Sequence, residues 1–480
     1  MSGKLFTGRF QAGRAASTEE LAMKNINHRL PNRASVFAEK IFSICRNLLH
    51  IEAMAGVALV IATMVALLLA NSTYATVYQK FWQQKISIEA FGYSFSKDLH
   101  FLVNDGLMTL FFLVAGMEIR REIHDGALSK FRQALLPLVA AIGGVIMPAI
   151  IYFSINQGPE TSHGWAVPTA TDIAFAIGIL ALLGKSVPNN LRIVLLALAT
   201  IDDIIAILII AIFYSNGFDV TGLPIACLAI IILVFLQWIG INSALIYVLP
   251  AALLWLGLMI CGVHPSLSGV ILGLLTPALS PRSLIAPVDR LSYALEILKN
   301  EKPEDSASTH HFALLEIRKS EAAIDAPVSR LVAAFSPWVL FVIMPLFALA
   351  NAGINISNVD FKDHFSLIIM VGTGLGLAIG KPLGIFLISF LAVRFGLCTL
   401  PSGVNWRGMI LVGLLGGIGF TMAIFTATLA FNAPRQLEAA KFAILCGSLM
   451  SAIFGLGYGL WLKFRAQHRM RKPDNEHFPH

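Results

Sequence analysis

The amino-acid sequence predicts an all-α polytopic membrane protein of about a dozen transmembrane helices. Three observations carry that expectation. Of 480 residues, 56% are hydrophobic and only 13% are charged, with a mean hydropathy of +0.74, outside the range of soluble domains. Between Val220 and Pro281 there is no Asp, Glu, Lys or Arg. A single crossing needs about 20 apolar residues, so that stretch must turn back on itself. Finally, the basic residues collect in alternate connections, as topology in a membrane requires.

Cutting the apolar runs at charges, Gly, Asn and Pro places spans near 50–71, 101–119, 133–155, 165–184, 190–214 and 222–239. Six more follow near 244–262, 264–279, 332–353, 365–393, 408–430 and 442–462. No cleavable leader is expected, because the first forty residues have scattered charges and no continuous apolar core. The expected organisation is a cytoplasmic tail (1–49), a twelve-helix domain (50–463) and a cytoplasmic C-terminal tail (464–480).

Orientation follows from Lys and Arg. The N-terminal tail, the second connection (Arg120, Arg121, Lys130, Arg132), the eighth (Arg282, Arg290, Lys299, Arg318, Lys319) and the C-terminal tail are basic. The third, fifth and seventh connections have none, and the ninth has only Lys362. Both termini are therefore expected in the cytoplasm. The formal net charge of +7 is explained by this bias and implies no nucleic-acid partner. The five cysteines are scattered without metal-binding spacing and read as small apolar packing residues.

Two segments depart from the helical pattern. Over 85–97, Ile86, Ile88, Phe91, Tyr93 and Phe95 nearly alternate with polar residues about Gly92, which predicts a small external β-hairpin. The connection 281–330 is rich in charge, with Leu291, Leu295 and Leu298 at helical spacing, and reads as a partly helical cytoplasmic insertion.

The chemistry lies in charges that hydrocarbon should exclude. Asp202 and Asp203 are the only charged residues between Arg192 and Asp219. Ten residues of helix from Arg192 put them about 15 Å deep, near mid-bilayer. Each carboxylate there costs about 2.5–3.5 kcal/mol on insertion scales, so a function or partner must offset it. Asp172 is the sole charge from Trp165 to Leu183, and Lys381 the sole charge from Phe365 to Val393. Neighbouring helical positions point about 100° apart, so one aspartate can pair with Lys381 while the other faces an aqueous cavity. Two carboxylates, the Thr171 hydroxyl and unwound carbonyls supply oxygens for a small cation. Burial and a like-charged neighbour favour the neutral acid, a nearby ammonium the carboxylate, so protons and cations compete for the same oxygens.

Backbone breaks at membrane depth let carbonyls and helix ends reach an ion. Pro168-Thr169-Ala170-Thr171-Asp172 and Gly416-Gly417-Ile418-Gly419 mark two such breaks, in the fourth and eleventh spans. Gly143-Gly144 with Pro148, and Gly380-Lys381-Pro382, rhyme in the third and tenth, hinting that spans three to five repeat as ten to twelve. Gly372, Gly374 and Gly376 read instead as sites of close helix packing.

Taken in order, Ala170-Thr171-Asp172-Ile173-Ala174-Phe175, Ile201-Asp202-Asp203, Gly380-Lys381-Pro382-Leu383-Gly384 and Gly417-Ile418-Gly419-Phe420-Thr421-Met422 resemble the NhaA family of bacterial sodium/proton antiporters. Asn104-Asp105-Gly106-Leu107-Met108 and Gly116-Met117-Glu118-Ile119-Arg120-Arg121-Glu122 extend the resemblance over about 50–463. It implies twelve helices, inverted-topology repeats, crossing extended segments in the two discontinuous helices, and electrogenic, pH-regulated export of sodium or lithium against more protons. It also implies a multi-pass protein of the bacterial inner membrane, a transporter and not an enzyme, without cofactor, forming homodimers through the 85–97 hairpin.

Carried over residue by residue, the resemblance makes Asp202 and Asp203 the sites of transported Na+ and protons and Thr171 a further ligand. Lys381 becomes the partner of Asp202, and Asp172 the compensating charge where the extended segments cross. Glu118, Arg121, Glu122 and His264 match pH-response positions, with a solvated membrane boundary and a helix cap as the alternatives. Val332, Ala333 and Ser336 depart from the acidic and His residues the family often has there.

Three rivals remain at this stage. A carrier of another cation or a proton channel needs the same acids. An intramembrane aspartyl protease also needs two, but its Gly-x-Gly-Asp signature is missing. A passive scaffold would keep its fold and show no flux.

Overall fold

The computed structural model describes residues 51–470 except 91–92, 125, 127, 130, 185–186, 216, 218, 240–243, 278–291, 295, 298–311, 313 and 318–325. The tail 1–49, the turn at Gly92, most of the insertion 281–330 and residues 471–480 thus lie outside the described residues.

Helix α1 (Ile51–Ala70) turns by 116° into the short α2 (Ala75–Trp82). Strands β1 (Lys85–Ala90) and β2 (Tyr93–Asp98) then pair antiparallel, with Lys85 opposite Asp98 and Ile88 opposite Phe95. The opposite charges of Lys85 and Asp98 across the ladder favour this register. The alternation in the sequence therefore forms the expected two-stranded sheet.

The rest is helical: α3 (Leu99–His124), α4 (Phe131–Ile155), α5 (Pro159–Thr169), α6 (Ile173–Leu182) and α7 (Asn189–Phe213). Then come α8 (Leu223–Ile239), α9 (Ala244–Ile260), α10 (Leu267–Leu275), α11 (Pro327–Asn351) and α12 (His364–Arg394). The chain closes with α13 (Trp406–Gly416), α14 (Phe420–Ala430) and α15 (Pro434–Met470), the last running past Lys463, where the sequence places the end of the membrane domain. Among the described residues, seven helices are long and apolar enough to cross a membrane, and three bent pairs bring the number to ten if each is one span. The molecule is a polytopic, almost wholly helical membrane protein.

Small residues let these helices approach closely, as association in lipid demands. On α4 and α12, Gly143 and Gly384 face each other so tightly that a Cβ on either would strike the other's carbonyl. Gly116 of α3 meets Val270 and Gly273 of α10 in the same manner. Gly372 packs on Asn156 and Tyr152, and Gly376 on Pro168, whereas Gly374 faces open space. Aromatic rings complete the core: Phe425 of α14 lies 5.5 Å from Phe112 of α3 and 6.2 Å from Phe347 of α11.

Two of the helices that carry an internal proline widen just before it instead of breaking. Proline removes one amide donor and its ring crowds the carbonyl four residues earlier. In α12 a wide π-type turn, Gly376–Gly380, comes just before Lys381-Pro382, and in α11 Val339–Ile343 comes just before Met344-Pro345. The wider turn takes up the ring and keeps the helix running. In α12 it also comes directly before Lys381, which is fully buried in the bundle.

Candidate functional site

Two broken helices meet at the centre of the bundle. The first is α5–α6, bent by 43°. Its last residues before the break, His163–Thr169, wind as a tight 3-10 turn, after which Ala170 (φ −76°, ψ 148°) and Asp172 (φ −95°, ψ 100°) are extended. Asp172 then caps α6, accepting a hydrogen bond from the Phe175 amide at 3.0 Å. The second is α13–α14, bent by 46° over Gly417-Ile418-Gly419. A Cβ at Gly417 would meet the Leu377 carbonyl and the Ser451 hydroxyl, and one at Gly419 the Ala170 carbonyl. Only glycine admits the neighbouring backbone so closely.

The breaks are bonded to each other. The Asp172 amide donates to the Ile418 carbonyl at 2.7 Å. The Asp172 carboxylate also crosses over: its Oδ2 accepts from the Thr421 amide at 3.1 Å and from the Thr421 hydroxyl. One fully buried carboxylate thus sits at the positive N-terminal ends of both α6 and α14. Beside it, the Phe420 amide donates to Ser448 Oγ at 3.1 Å.

The opposite ends of the half-helices present carbonyls, and a cation serves them. Lys381, with no exposed surface, donates from Nζ to the Thr169 carbonyl at the end of α5. The same Nζ lies 2.8 Å from Asp202 Oδ2. Thr171 Oγ1 is 2.7 Å from that oxygen and 3.1 Å from the Gly416 carbonyl, and its one proton serves one acceptor at a time.

Asp202 and Asp203, in the middle of α7, are buried but differ in their surroundings. Oδ2 of Asp202 is held by Lys381 and Thr171, while Oδ1 is buried and has no partner. Asp203, 6% exposed, makes no hydrogen bond or ion pair with any described residue. The site therefore offers several oxygens whose lone pairs the protein leaves open, next to a fixed ammonium. Such oxygens suit a partly dehydrated monovalent cation or a proton. Among the described residues no group of three His, Cys, Asp or Glu gathers as a transition metal would need. Asp202 is paired with the ammonium of Lys381, whereas the acids of a proteolytic dyad share one proton between them.

Of the pH-response candidates, Glu118 lies close enough to the centre for its charge to act on Asp203. Glu118, Arg121 and Glu122 are half-buried near the end of α3. His264 lies in the turn between α9 and α10; its Nε2–H donates to the Tyr214 carbonyl at 2.9 Å, capping the end of α7. It does not cap α10, whose N-cap is Ser266. Thr421, Ser448 and the Thr169 and Gly416 carbonyls belong to the site, though the sequence singled out none of them as a ligand. For Thr421 a signal exists: it follows the glycine break as Thr171 follows Pro168.

Comparison with known proteins supplies the family. The sequence model of the family described as Na+/H+ antiporter 1 matches residues 46–458. The chain is 55% identical to the Na(+)/H(+) antiporter NhaA of Bartonella henselae over 436 residues, covering 90% of this chain and 96% of the relative. It is 54% identical to that of Janthinobacterium sp. (91% and 96% covered) and 50% identical to Na(+)/H(+) antiporter NhaA 2 of Pseudomonas putida (89% and 95%). A family model that spans most of the chain, together with 50–55% identity to antiporters along nine-tenths of it, places this chain in the NhaA family of sodium/proton antiporters, a family of transporters and not of enzymes.

Proposed function

We propose that this protein exchanges Na+ for H+ across a bacterial inner membrane, with Asp202 and Asp203 as the binding site for both. The observation that carries this reading is the unpartnered, buried Oδ1 of Asp202 beside Asp203, which has no hydrogen-bonding partner among the described residues. A buried acceptor left open in this way costs stability unless something transient satisfies it. Sodium and protons take turns in that role, and a site facing one side at a time turns their competition into antiport.

Each part of the site has a distinct task. Lys381 holds Asp202 until a cation draws the carboxylate away, and Thr171 adds a neutral oxygen. Asp172 and Lys381 balance the half-helix ends, so the breaks persist without water. Because the breaks are joined by one backbone bond and few side chains, a small displacement of α5–α6 against α13–α14 redirects access. More than one group of the site takes up protons, which supports electrogenic exchange of more protons than sodium, with Li+ as a further substrate.

The same reading includes twelve crossings, counting α9, α10 and each broken pair α5–α6 and α13–α14 as one span, arranged as inverted repeats with both termini in the cytoplasm. It includes a homodimer paired through β1 and β2, since an isolated two-stranded sheet is marginal in water. Regulation by pH falls to Glu118, Arg121, Glu122 and His264, because Val332, Ala333 and Ser336 do not titrate.

The test is reconstitution. Sodium added outside acidic proteoliposomes should collapse the pH gradient in the wild-type protein. Asp203→Asn should abolish this response while the protein is still recovered folded. Unchanged exchange with amides at both 202 and 203 would sink the reading.

A further inference from the structure

The geometry points to a second binding site, for a phosphate group, in a cavity of about 250 Å3 where the start of α7, the start of α13 and the end of α15 converge. Its floor is apolar, with Leu191, Val404 and Leu411, and its rim carries Arg407, Lys463 and Arg465. None of these three cations forms an ion pair with a described carboxylate. Arg465 is pre-positioned, its guanidinium 4.8 Å from the Trp461 ring centroid. The first turn of α13, capped by Asn405, adds the partial positive charge of a helix N-terminus to the same rim.

The walls are tied together. Asn190 Nδ2 donates to the Ser402 carbonyl at 2.7 Å and lies 3.2 Å from its hydroxyl, fastening the loop before α13 to the start of α7. Gly403 turns that loop with φ +78°, and Gly408 packs against Leu191. A positive-inside bias accounts for basic residues on this face, but a bias alone scatters them; here three surround one apolar-floored cavity. Cations above hydrocarbon match a phosphodiester joined to acyl chains, and the phosphate is what they recognise, whether it comes from an anionic lipid or from solution. The site shares α7 with the aspartates, but neither Asp202 nor Asp203 lines it, and it supplies no ligand to the exchange site.

The full chain in detergent tests this. Thermal unfolding is followed while phosphatidylglycerol, phosphatidylcholine or inorganic phosphate is titrated. Phosphatidylglycerol is expected to raise Tm saturably and phosphatidylcholine to do so weakly. Arg407→Gln with Lys463→Gln, both at the rim, should weaken the apparent affinity for phosphatidylglycerol by roughly thirty-fold, given the worth of two cations near a lipid surface. Arg394→Gln, outside the cavity, should keep the wild-type response, and all variants should exchange ions normally in phosphatidylcholine vesicles. A saturable response to inorganic phosphate that the double variant loses would assign the phosphate to solution. Equal responses to the two lipids, or a double variant that responds like wild type, overturn the proposal.

Discussion

The two breaks that meet in the bundle bend by nearly the same angle, 43° and 46°, yet they are built from opposite materials. The α5–α6 break is written in side chains: Pro168, Thr171 and Asp172. The α13–α14 break is written in backbone: Gly416, Gly417 and Gly419, with no charge of its own. One carboxylate, Asp172, serves the N-terminal ends on both sides, and one ammonium, Lys381, sits by the carbonyl end of α5. The lesson is that two helix breaks that meet need only one chemically equipped partner. The glycine break supplies close approach and helix dipoles, and the other supplies charge and ligands.

The comparison can be broken most strongly at Lys381. Lys381→Ala would leave Asp202 buried without its counter-ion, and loss of one partner of a buried pair costs about 3–5 kcal/mol. A large fall in Tm with loss of sodium-driven proton release is expected; an unchanged Tm would mean that the carbonyl ends need no cation.

Next comes the shared carboxylate. Asp172→Asn keeps the shape and removes the charge from two helix ends, at an expected cost of about 2–3 kcal/mol. If the one carboxylate really serves both breaks, adding Thr421→Val to Asp172→Asn should cost less than the sum of the separate changes, measured as a double-mutant cycle in denaturant.

Smaller effects separate the two materials. Gly417→Ala places a methyl against the Leu377 carbonyl, an overpacking expected to cost about 1–3 kcal/mol, whereas Ala170→Gly in the other break should cost under about 1 kcal/mol. The two threonines should diverge in degree: Thr171→Val, which touches Asp202, raises the KM for sodium, while Thr421→Val, which touches Asp172, chiefly lowers Tm by the worth of about one hydrogen bond and moves KM less.

The smallest effect sets the scale for capping in water. Half-buried Asp363 caps α12 alone, and hydrogen bonds from the Ser366 hydroxyl and amide hold its carboxyl below the usual range. A depressed value means the stabilisation is present at neutral pH and fades as pH falls through the folded value. The Tm difference between wild type and Asp363→Ala should therefore be small at pH 7 and vanish in acid, where Asp172→Asn, with its polar cap intact, gives a reference for the buried case.

Much of this was readable in the chain itself. The helical spans, the hairpin over 85–97, the break before Asp172 and the glycine break at 417–419 follow from hydropathy, period and backbone freedom, which are properties of neighbouring residues. The oddity of Asp202, Asp203, Asp172 and Lys381 was legible too, because a charge in hydrocarbon is conspicuous wherever it stands. The π-type turns before Lys381-Pro382 and Met344-Pro345 were not, since a proline in a helical run signals a kink, a break or a wide turn alike. Nor could local reasoning say which aspartate takes Lys381. Adjacent positions fix only that the two carboxylates diverge. The choice of Oδ2 of Asp202 by both Lys381 and Thr171, and the reach of Asp172 to Thr421 across 249 positions, depend on how α5–α6, α7, α12 and α14 pack. Local chain chemistry determined which groups are buried and where the backbone yields; only the packing of distant helices decided who neutralises whom, because electrostatic pairing depends on distances that sequence separation does not set.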